Sequence, residues 1–526
     1  MGPLWRRVFL VSLLLLGLLS GGVSDDIGGS YYWNRTLSLS GSPYNVTDEI
    51  IVGEAATLTI EPGVRLLFPE GVGMTVWGRL IAIGTTEQRV IFDRKRNPPD
   101  DEANNVTRDH RIRLLGPTVF EGRVQVKLDG MWGSLCQYNW RRSWRGSEAN
   151  VVCRQLGFAT GRVENKYRFG KGRVAVSDLQ CLGNESSIYE CTHHDFDLPP
   201  HWCHQGQNRG DLGVVCEGLN HRENVYWKAI DIRTTDVAMK STLQNVDILY
   251  AGGGNSNAER AAIFSASVPP LLQNVSVRYS GDAAIRVNNT MTFLQMENCD
   301  VSENQGVGLI VTNPSADVTI VSSTFSKNFP AGMQVTAGHT KSSLQITDST
   351  FEQNSGAGLM LSDVPMNVDI RQSNFSTNSH HGLSVVATTH VSLVTDSCHF
   401  DQNGLDGFHA RYIGMSGSRS HTVMRNGVVE GNVGSGFNLE IEYQTIASPP
   451  ISDQIIIDQS DFTSNKNGSV KITVDNSYED RFPVVQLTGG VHRDNMATVI
   501  DVGGTRAEVT IQDVEFDSSQ CGIQLV

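Results

Sequence analysis

The stretch from Asp348 to Leu361, DSTFEQNSGAGLML, decides the fold. A Phe stands three residues before an Asn, a Gly follows four residues after that Asn, and alternating apolar residues come next. The same skeleton recurs as SSTFSKNFPAGMQV at 322–335 and as QSNFSTNSHHGLSV at 372–385. A motif that returns at a nearly fixed interval predicts a repeat architecture rather than a single compact core.

The repeated Asn gives the period of the array. Seven copies are found, with successive spacings of 24, 26, 24, 25, 29 and 33 residues, at Asn304, Asn328, Asn354, Asn378, Asn403, Asn432 and Asn465. Apolar residues alternate with polar ones on both sides of each Asn, which is typical of short strands with one buried face. The sequence therefore predicts a mostly β protein, a right-handed parallel β-helix whose coils stack about 4.8 Å apart.

The repeated Asn is predicted to be structural. Its amide can hydrogen-bond to the same residue in the next coil, which satisfies polar groups that would be costly to bury alone. We also expect Asn there because a sharp corner needs a left-handed backbone, which Asn tolerates. These residues are interpreted as a structural ladder and not as ligand-binding residues.

Two cysteines share one position of the repeat. Cys299 and Cys398 each stand five residues before their Asn, where other coils have Ser. They are four coils apart, or about 19 Å, whereas a disulfide needs Cα atoms within about 7 Å. Two buried free thiols are therefore expected.

The first 24 residues predict export. Arg6 and Arg7 precede an apolar run that ends in small residues, which is typical of a secretory signal peptide over 1–24. No later segment is apolar for long enough to suggest a second membrane segment. Glycosylation is expected at several of the eight Asn-x-Ser/Thr sequons, which begin at Asn34, Asn45, Asn105, Asn184, Asn274, Asn288, Asn374 and Asn467.

The chain divides into a β-helix and an insert. We predict N-terminal coils over 25–110, an inserted domain over 111–218 and further coils over 219–526, which we expect to continue beyond Val526. The net charge is −14, which argues against nucleic acid as a partner. From Arg111 to Glu217 there are 14 Lys+Arg against 11 Asp+Glu, or +3, so the remainder carries 28 minus 45, or −17. A mildly basic domain is thus set in an acidic body.

The insert resembles a known extracellular family. The segments EGRVQVKLDGMWGSLC, VVCRQLGF, DLQCLGNESSIYEC and GDLGVVC follow the order of the scavenger receptor cysteine-rich (SRCR) family. That resemblance implies a small disulfide-rich α+β domain. It also implies the pairs Cys136–Cys203, Cys153–Cys216 and Cys181–Cys191, and a weak Ca²⁺ site at Asp178, Glu185 and Asp211. Calcium is the only cofactor that the resemblance implies.

Basic residues interleaved with aromatic ones give the insert its candidate ligand contacts. Such side chains can bind sulfated or carboxylated glycans or an acidic protein face, and the alternative is a solvated surface. The candidates are Arg141, Arg142, Arg145, Lys166, Arg168, Lys171 and Arg173. A loop with several His residues, CTHHDFDLPPHWCHQ, follows no known zinc spacing and is interpreted as a polar surface.

The domain order, with an SRCR module inserted in a β-helix, resembles the bark beetle (Anakonda) family of animal proteins. That family implies a cell-surface role in organising epithelial junctions. We expect a secreted or surface-displayed binding and adhesion protein, whose SRCR module contacts an extracellular protein or polyanionic glycan and whose β-helix is a rigid scaffold. One alternative is a scavenger-type receptor for polyanions. The other is a polysaccharide-acting enzyme, which we do not favour because Asp401, Asp406, His409 and Arg411 form only a sparse polar cluster.

Overall fold

The computed structural model describes most of the chain. The described residues are 25–95, 111–118, 121–128, 131–136, 145–156, 158–164, 174–194, 211–219, 226–253, 260–336, 342–363, 367–388, 391–413, 420–443, 453–476, 483–496, 500–504, 507–517 and 523–525. The predicted signal peptide over 1–24 lies outside them. The predicted boundaries near 110 and 218 adjoin segments that are also outside them, so those boundaries stay predictions.

A parallel β-helix forms the body of the protein, as the repeat predicted. Its strands lie in three stacks, and the described strands of successive coils pair in parallel, with equivalent residues in register as in Phe325 to Phe351 to Phe375. A register shift interrupts the first pair, β1 with β3, between Ile27 and Gly29. The first stack has 15 strands. They are β1 Asp26–Tyr31, β3 Tyr44–Val52, β6 Met74–Val76, β16 Ile230–Ile232, β18 Ala261–Ser265, β20 Ala283–Asn288, β23 Leu309–Thr312, β26 Met333–Thr336, β29 Leu359–Ser362, β32 Leu383–Ala387, β35 Phe408–Ile413, β38 Phe437–Tyr443, β41 Val470–Asn476, β44 Ile500–Gly504 and β47 Ile523–Leu525.

The second and third stacks complete each coil. The second contains β2 Arg35–Leu37, β4 Thr57–Ile60, β7 Arg79–Ile83, β17 Thr242–Leu249, β19 Leu271–Arg278, β21 Leu294–Glu297, β24 Val318–Val321, β27 Ser343–Thr347, β30 Asn367–Arg371, β33 Ser392–Asp396, β36 His421–Arg425, β39 Gln454–Asp458, β42 Val484–Thr488 and β45 Glu508–Gln512. The third contains β5 Arg65–Phe68, β8 Val90–Arg94, β22 Asp300–Ser302, β25 Thr324–Ser326, β28 Thr350–Glu352, β31 Asn374–Ser376, β34 His399–Asp401, β37 Val428–Glu430, β40 Asp461–Thr463, β43 Val491–Arg493 and β46 Glu515–Asp517. The long strands β17 and β19 pair with both stacks.

The inserted domain has a separate seven-stranded sheet and one α-helix. Its elements are β9 Ile112–Thr118, β10 Glu121–Leu128, β11 Met131–Cys136, α1 Gly146–Gln155, β12 Phe158–Glu164, β13 Val174–Gln180, β14 Thr192–His194 and β15 Gly213–Leu219. The helix begins where the buried Glu148 carboxylate accepts the N–H of Arg145 at 2.9 Å, which satisfies a donor at its first turn. Val151 and Val152 bury its apolar side against the sheet. Among the described residues, 3₁₀ turns cover Leu39–Gly41, Ile188–Glu190 and Val237–Met239.

The insert does not interrupt the stacking of the coils. Strand β16 pairs with β6 through Ile230 and Met74, and β17 pairs with β8 through Val246 and Val90. Trp227, after the insert, is fully buried, and its ring centroid lies 4.4 Å from that of Phe68, before the insert. The β-helix therefore continues after the insert as if the two pieces were adjacent in sequence.

Inward-pointing apolar side chains fill the β-helix along its whole described length. The Phe residues of the repeated motif stack in a column, with ring centroids of Phe325, Phe351, Phe375 and Phe400 separated by 5.0, 4.9 and 5.1 Å. Each ring is fully buried, and burying such a side chain contributes about 1.5–3 kcal/mol. Among the described residues, no helix is long and apolar enough to cross a membrane.

Candidate functional site

The repeated Asn residues form a continuous buried ladder. In one rung, Asn378 accepts hydrogen bonds at Oδ1 from the backbone N–H and from Nδ2 of Asn354, at 3.1 and 3.0 Å. Its Nδ2 donates to Asn403 Oδ1 at 3.1 Å and to the carbonyl oxygen of Phe351 at 2.9 Å. Asn378 is buried, so its amide atoms and the backbone groups around it depend on these hydrogen bonds instead of on water.

The reason we gave for Asn at this corner is wrong. The left-handed residue is the one immediately before the ladder Asn, for example Lys327 (φ 55°), Gln353 (φ 56°) and Thr377 (φ 52°). The Asn itself is required for its side chain, which carries both a donor and an acceptor toward the neighbouring coils. The backbone turns just upstream, at residues of varied type.

Sequence reasoning missed the last rung of the ladder. Asn495 accepts at Oδ1 from the backbone N–H and Nδ2 of Asn465, at 3.0 and 3.2 Å. Its coil has His492 in place of Phe, stacked 4.9 Å from Phe462, and has no Gly four residues later. The Asn stands 30 residues after Asn465, so spacing alone would have revealed it.

A second ladder holds the two predicted thiols. The backbone N–H of Cys299 donates to Ser323 Oγ at 3.1 Å, and Ser323 and Ser349 continue the pattern into later coils. Cys398 Sγ lies 3.4 Å from the carbonyl oxygen of Asp396, the contact that the Ser residues make with Oγ. Both cysteines are buried and free of disulfides. Burial raises the pKa of each thiol to about 11.

Two of the three cysteine pairs implied by the family resemblance are disulfides in the structure. Cys153 and Cys216 join α1 to β15, and Cys181 and Cys191 close a loop with a sequence separation of 10. The third pair, Cys136–Cys203, includes a residue outside the described ones. A disulfide of this kind stabilises a small domain by about 2–4 kcal/mol.

The three residues proposed for calcium are engaged in other contacts. Both carboxylate oxygens of Glu185 accept backbone N–H groups of its own loop, from Leu182 at 2.7 Å and from Gly183 at 2.8 Å. The Leu182 hydrogen bond chiefly holds the pKa of Glu185 below its ordinary value. Asp211 is buried and lies 3.7 Å from Arg123 Nε.

Calcium also needs convergence of its ligands, which the structure does not provide here. Among the described residues, neither Asp178 nor Asp211 belongs to a group of three or more His, Cys, Asp or Glu residues whose ligand atoms lie within 4.8 Å of one another. A hard cation takes six to eight oxygen ligands. The arrangement therefore fits loop anchoring better than a calcium site, and the implied Ca²⁺ does not fit these residues.

Most of the predicted basic contacts cannot be placed. Arg145 is exposed at the start of α1. Arg141, Arg142, Lys166, Arg168, Lys171 and Arg173 lie outside the described residues. Described basic residues nearby take part in internal contacts, since Arg154 donates to the carbonyl oxygens of Gly183 and Glu185 at 2.6 and 3.0 Å.

The sequons differ in accessibility. Asn34, Asn184 and Asn467 are exposed, whereas Asn45, Asn274, Asn288 and Asn374 are half-buried and Asn105 lies outside the described residues. Asn274 is the most constrained, because its Nδ2 donates to Asn245 Oδ1 at 2.5 Å in a left-handed corner. Glycan transfer requires this nitrogen, so the contact disfavours modification of the folded protein.

The polar residues considered for catalysis are separated. Arg411 lies 3.6 Å from Glu440 and 4.0 Å from Glu442 on an exposed face. Burial and the neighbouring Glu430 raise the pKa of Asp401 above its ordinary value. Asp406 and His409 belong to a different cluster, with His381, which is described below.

Two family descriptions match the chain. "Scavenger receptor cysteine-rich domain" matches residues 115–226 and "Right handed beta helix region" matches residues 230–397. The chain carries an SRCR domain within a right-handed β-helix. The SRCR match coincides with the separate seven-stranded sheet, and the coils before Ile112 extend the β-helix toward the N-terminus.

Two relatives match parts of the chain. Protein bark beetle of Drosophila melanogaster is 29% identical over 339 residues, which are 60% of this chain and 10% of bark beetle. This similarity confirms the resemblance predicted from the sequence. Macrophage receptor MARCO of Mus musculus is 31% identical over 106 residues, which are 20% of this chain and 18% of the receptor. This chain therefore spans about a tenth of bark beetle and less than a fifth of MARCO.

A solved structure also resembles the β-helix. A double mutant of the periplasmic alginate epimerase AlgG has a TM-score of 0.34 and 13% identity, covering 55% of this chain and 76% of the epimerase.

The SRCR domain and the similarity to bark beetle support an extracellular, receptor-like binding protein.

Proposed function

We propose that this protein displays its SRCR domain from a stiff β-helical rod to bind an extracellular protein or a polyanionic glycan. The observation that carries the proposal is the unbroken register of the coils around the insert, where β6 and β8 pair directly with β16 and β17. A domain inserted between two in-register coils is held at one fixed point along the rod. Such a construction suits presentation of a binding module better than catalysis within the rod.

Charge supports the SRCR domain as the contacting part. The insert carries +3 and the remainder −17 by the count given above, so a polyanion is repelled by the rod and meets positive charge on the insert. Arg145, exposed on the insert, is one described contact candidate. The finer proposal is adhesion between cells at epithelial junctions, as the bark beetle resemblance implies.

Binding to an immobilised sulfated polysaccharide tests the proposal. The secreted chain is applied to dextran sulfate and to neutral dextran over a range of salt concentrations. We expect binding to dextran sulfate alone, weakening as salt rises because exposed charges are screened. The triple substitution Arg141→Ala, Arg142→Ala, Arg145→Ala should weaken binding by about threefold to a hundredfold, since each exposed charge contributes about 0.2–1 kcal/mol.

A matched control removes the same charge from the rod. Arg425, Lys466 and Lys471 are exposed on the β-helix, and their replacement by Ala should leave binding within about twofold. Equal loss in both triple variants, or equal binding to neutral dextran, contradicts the assignment to the SRCR domain. Clustering of beads coated with the chain, with no polyanion present, would instead favour homophilic adhesion.

A further inference from the structure

Three metal-ligating side chains meet at one edge of the β-helix. His381 and Asp406 occupy equivalent positions in adjacent coils, each directly before the Gly that starts a first-stack strand, and His409 lies in β35. Asp406 Oδ2 is 3.4 Å from His381 Nδ1 and 3.2 Å from His409 Nδ1. The possible ligand atoms of all three lie within 4.8 Å of one another.

The carboxylate at the centre is held rigidly. Asp406 Oδ1 accepts the backbone N–H of Ser435 at 2.7 Å, and Oδ2 accepts from Asn438 Nδ2 at 3.1 Å. The backbone N–H of Asp406 donates to His381 Nδ1 at 3.3 Å, so that nitrogen is the unprotonated one, and an ion that binds there would replace this hydrogen bond. Second contacts of this kind orient metal ligands in proteins.

Two buried polar atoms beside this carboxylate make no well-aligned hydrogen bond, although the first of them lies within 3.2 Å of Asp406 Oδ2. They are Nδ1 of His409 and Oδ1 of Asn438, which are partners in register on β35 and β38. A buried polar atom without a partner costs about 1–3 kcal/mol. A cation among them would satisfy these lone pairs.

We propose that His381, Asp406 and His409 bind Zn²⁺. Bonds of about 2.0–2.1 Å in a tetrahedral site place neighbouring ligand atoms about 3.3 Å apart, close to the two separations from Asp406. Two imidazoles and one carboxylate suit zinc, whereas calcium and magnesium prefer oxygen ligands alone.

Ion binding requires one local adjustment. The rings of His381 and His409 are stacked, with centroids 4.4 Å apart and planes at 16°. One ring must turn about its Cβ–Cγ bond to aim its lone pair at the shared ion. The side chains of both His residues are 18% exposed, so an ion can enter and the fourth position faces solvent, open to water or to a donor from outside the chain.

The neighbouring coils supply conservative test substitutions. Ala357 stands before Gly358 where His381 stands before Gly382, and Asn438 is the register partner of His409. His381→Ala and His409→Asn therefore place residues that the fold already accepts at these positions. His399→Ala, on an exposed third-stack site of the same coil as Asp406, is the matched control.

Zinc titration of the full secreted chain by calorimetry tests the site, and far-ultraviolet circular dichroism verifies folding of each variant. Wild type and His399→Ala should bind one zinc equivalent that His381→Ala and His409→Asn either lose or bind at least about tenfold more weakly. Cobalt in place of zinc should give the intense visible absorption of a tetrahedral site in wild type and lose it in both variants. Identical stoichiometry and affinity in all four proteins, or no binding to wild type, overturns the proposal.

Discussion

Replacing Asn378 by Ala tests how much the ladder stabilises the fold. The substitution removes four hydrogen bonds, but three of the affected groups keep another partner. Asn354 Nδ2 still donates to the Phe325 carbonyl oxygen, and Asn403 Oδ1 still accepts the backbone N–H of residue 378. The Phe351 carbonyl oxygen keeps its place in the parallel ladder between β28 and β31, whereas the Asn354 backbone N–H loses the partner that Asn378 provided.

At about 1–3 kcal/mol for one unsatisfied buried group, the free energy of unfolding should fall by about 1–3 kcal/mol. Denaturant unfolding of the secreted chain, followed by circular dichroism, measures this change. Asn367→Ala is the control, because Asn367 is exposed on β30 and its loss should cost less than about 0.5 kcal/mol. Hydrogen exchange at the Asn354 amide should also accelerate in the Asn378 variant. Equal effects of the two substitutions would refute the reasoning.

Three further outcomes are expected. Cys299 and Cys398 should resist a thiol reagent in the folded protein, and labelling of either one, located by peptide mass spectrometry, would contradict this. Since burial raises the pKa of each thiol from 9.0 to about 11, their contribution to stability should be complete below pH 9 and decline between pH 9 and 11. Burial lowers the pKa of His492 from 6.5 to about 4, so the unfolded chain takes up a proton that the folded protein does not as the pH falls through 6.5. His492→Phe should therefore reduce the loss of stability on acidification. Unfolding curves at pH 7 and pH 5 measure this loss, and an unchanged pH dependence would count against the prediction. Glycopeptide mass spectrometry should find glycans at the exposed Asn184 and Asn467 but not at Asn274, whose occupancy would show that its bond to Asn245 does not form before glycosylation.

The β-helix could be predicted from the sequence because the same residue types recur at equivalent positions of successive coils. Phe351 and Asn354 recur at equivalent positions, so one coil predicts the contacts of the next, and the stacked Phe rings and amide bonds follow. The left-handed corner was misplaced by one residue. Gln353 and Thr377 differ in type at that corner, so composition carries no signal of the backbone angle there.

The candidate metal cluster was less accessible to sequence reasoning. Its residues are 25 and 28 positions from His381, and only the coil register brings Asp406 and His409 beside it. These residues are sparse along the chain, because their neighbours lie in adjacent coils rather than in adjacent sequence. The calcium site at Asp178, Glu185 and Asp211 stays a prediction from the family pattern, and in the structure Glu185 accepts backbone N–H groups of its loop while Asp211 lies beside Arg123.

The stacking of coils in register is most directly measured as a distance between spin labels. Gln345 and Gln486 are exposed second-stack residues connected through five successive register pairs, by way of residues 369, 394, 423 and 456. Cysteine labels at these two positions, in a background with Cys299, Cys398 and Cys521 replaced by Ser, should give a narrow distance distribution centred near 24 Å, from five steps of about 4.8 Å. A broad distribution, or a mean distance tens of ångströms longer, would contradict the in-register β-helix.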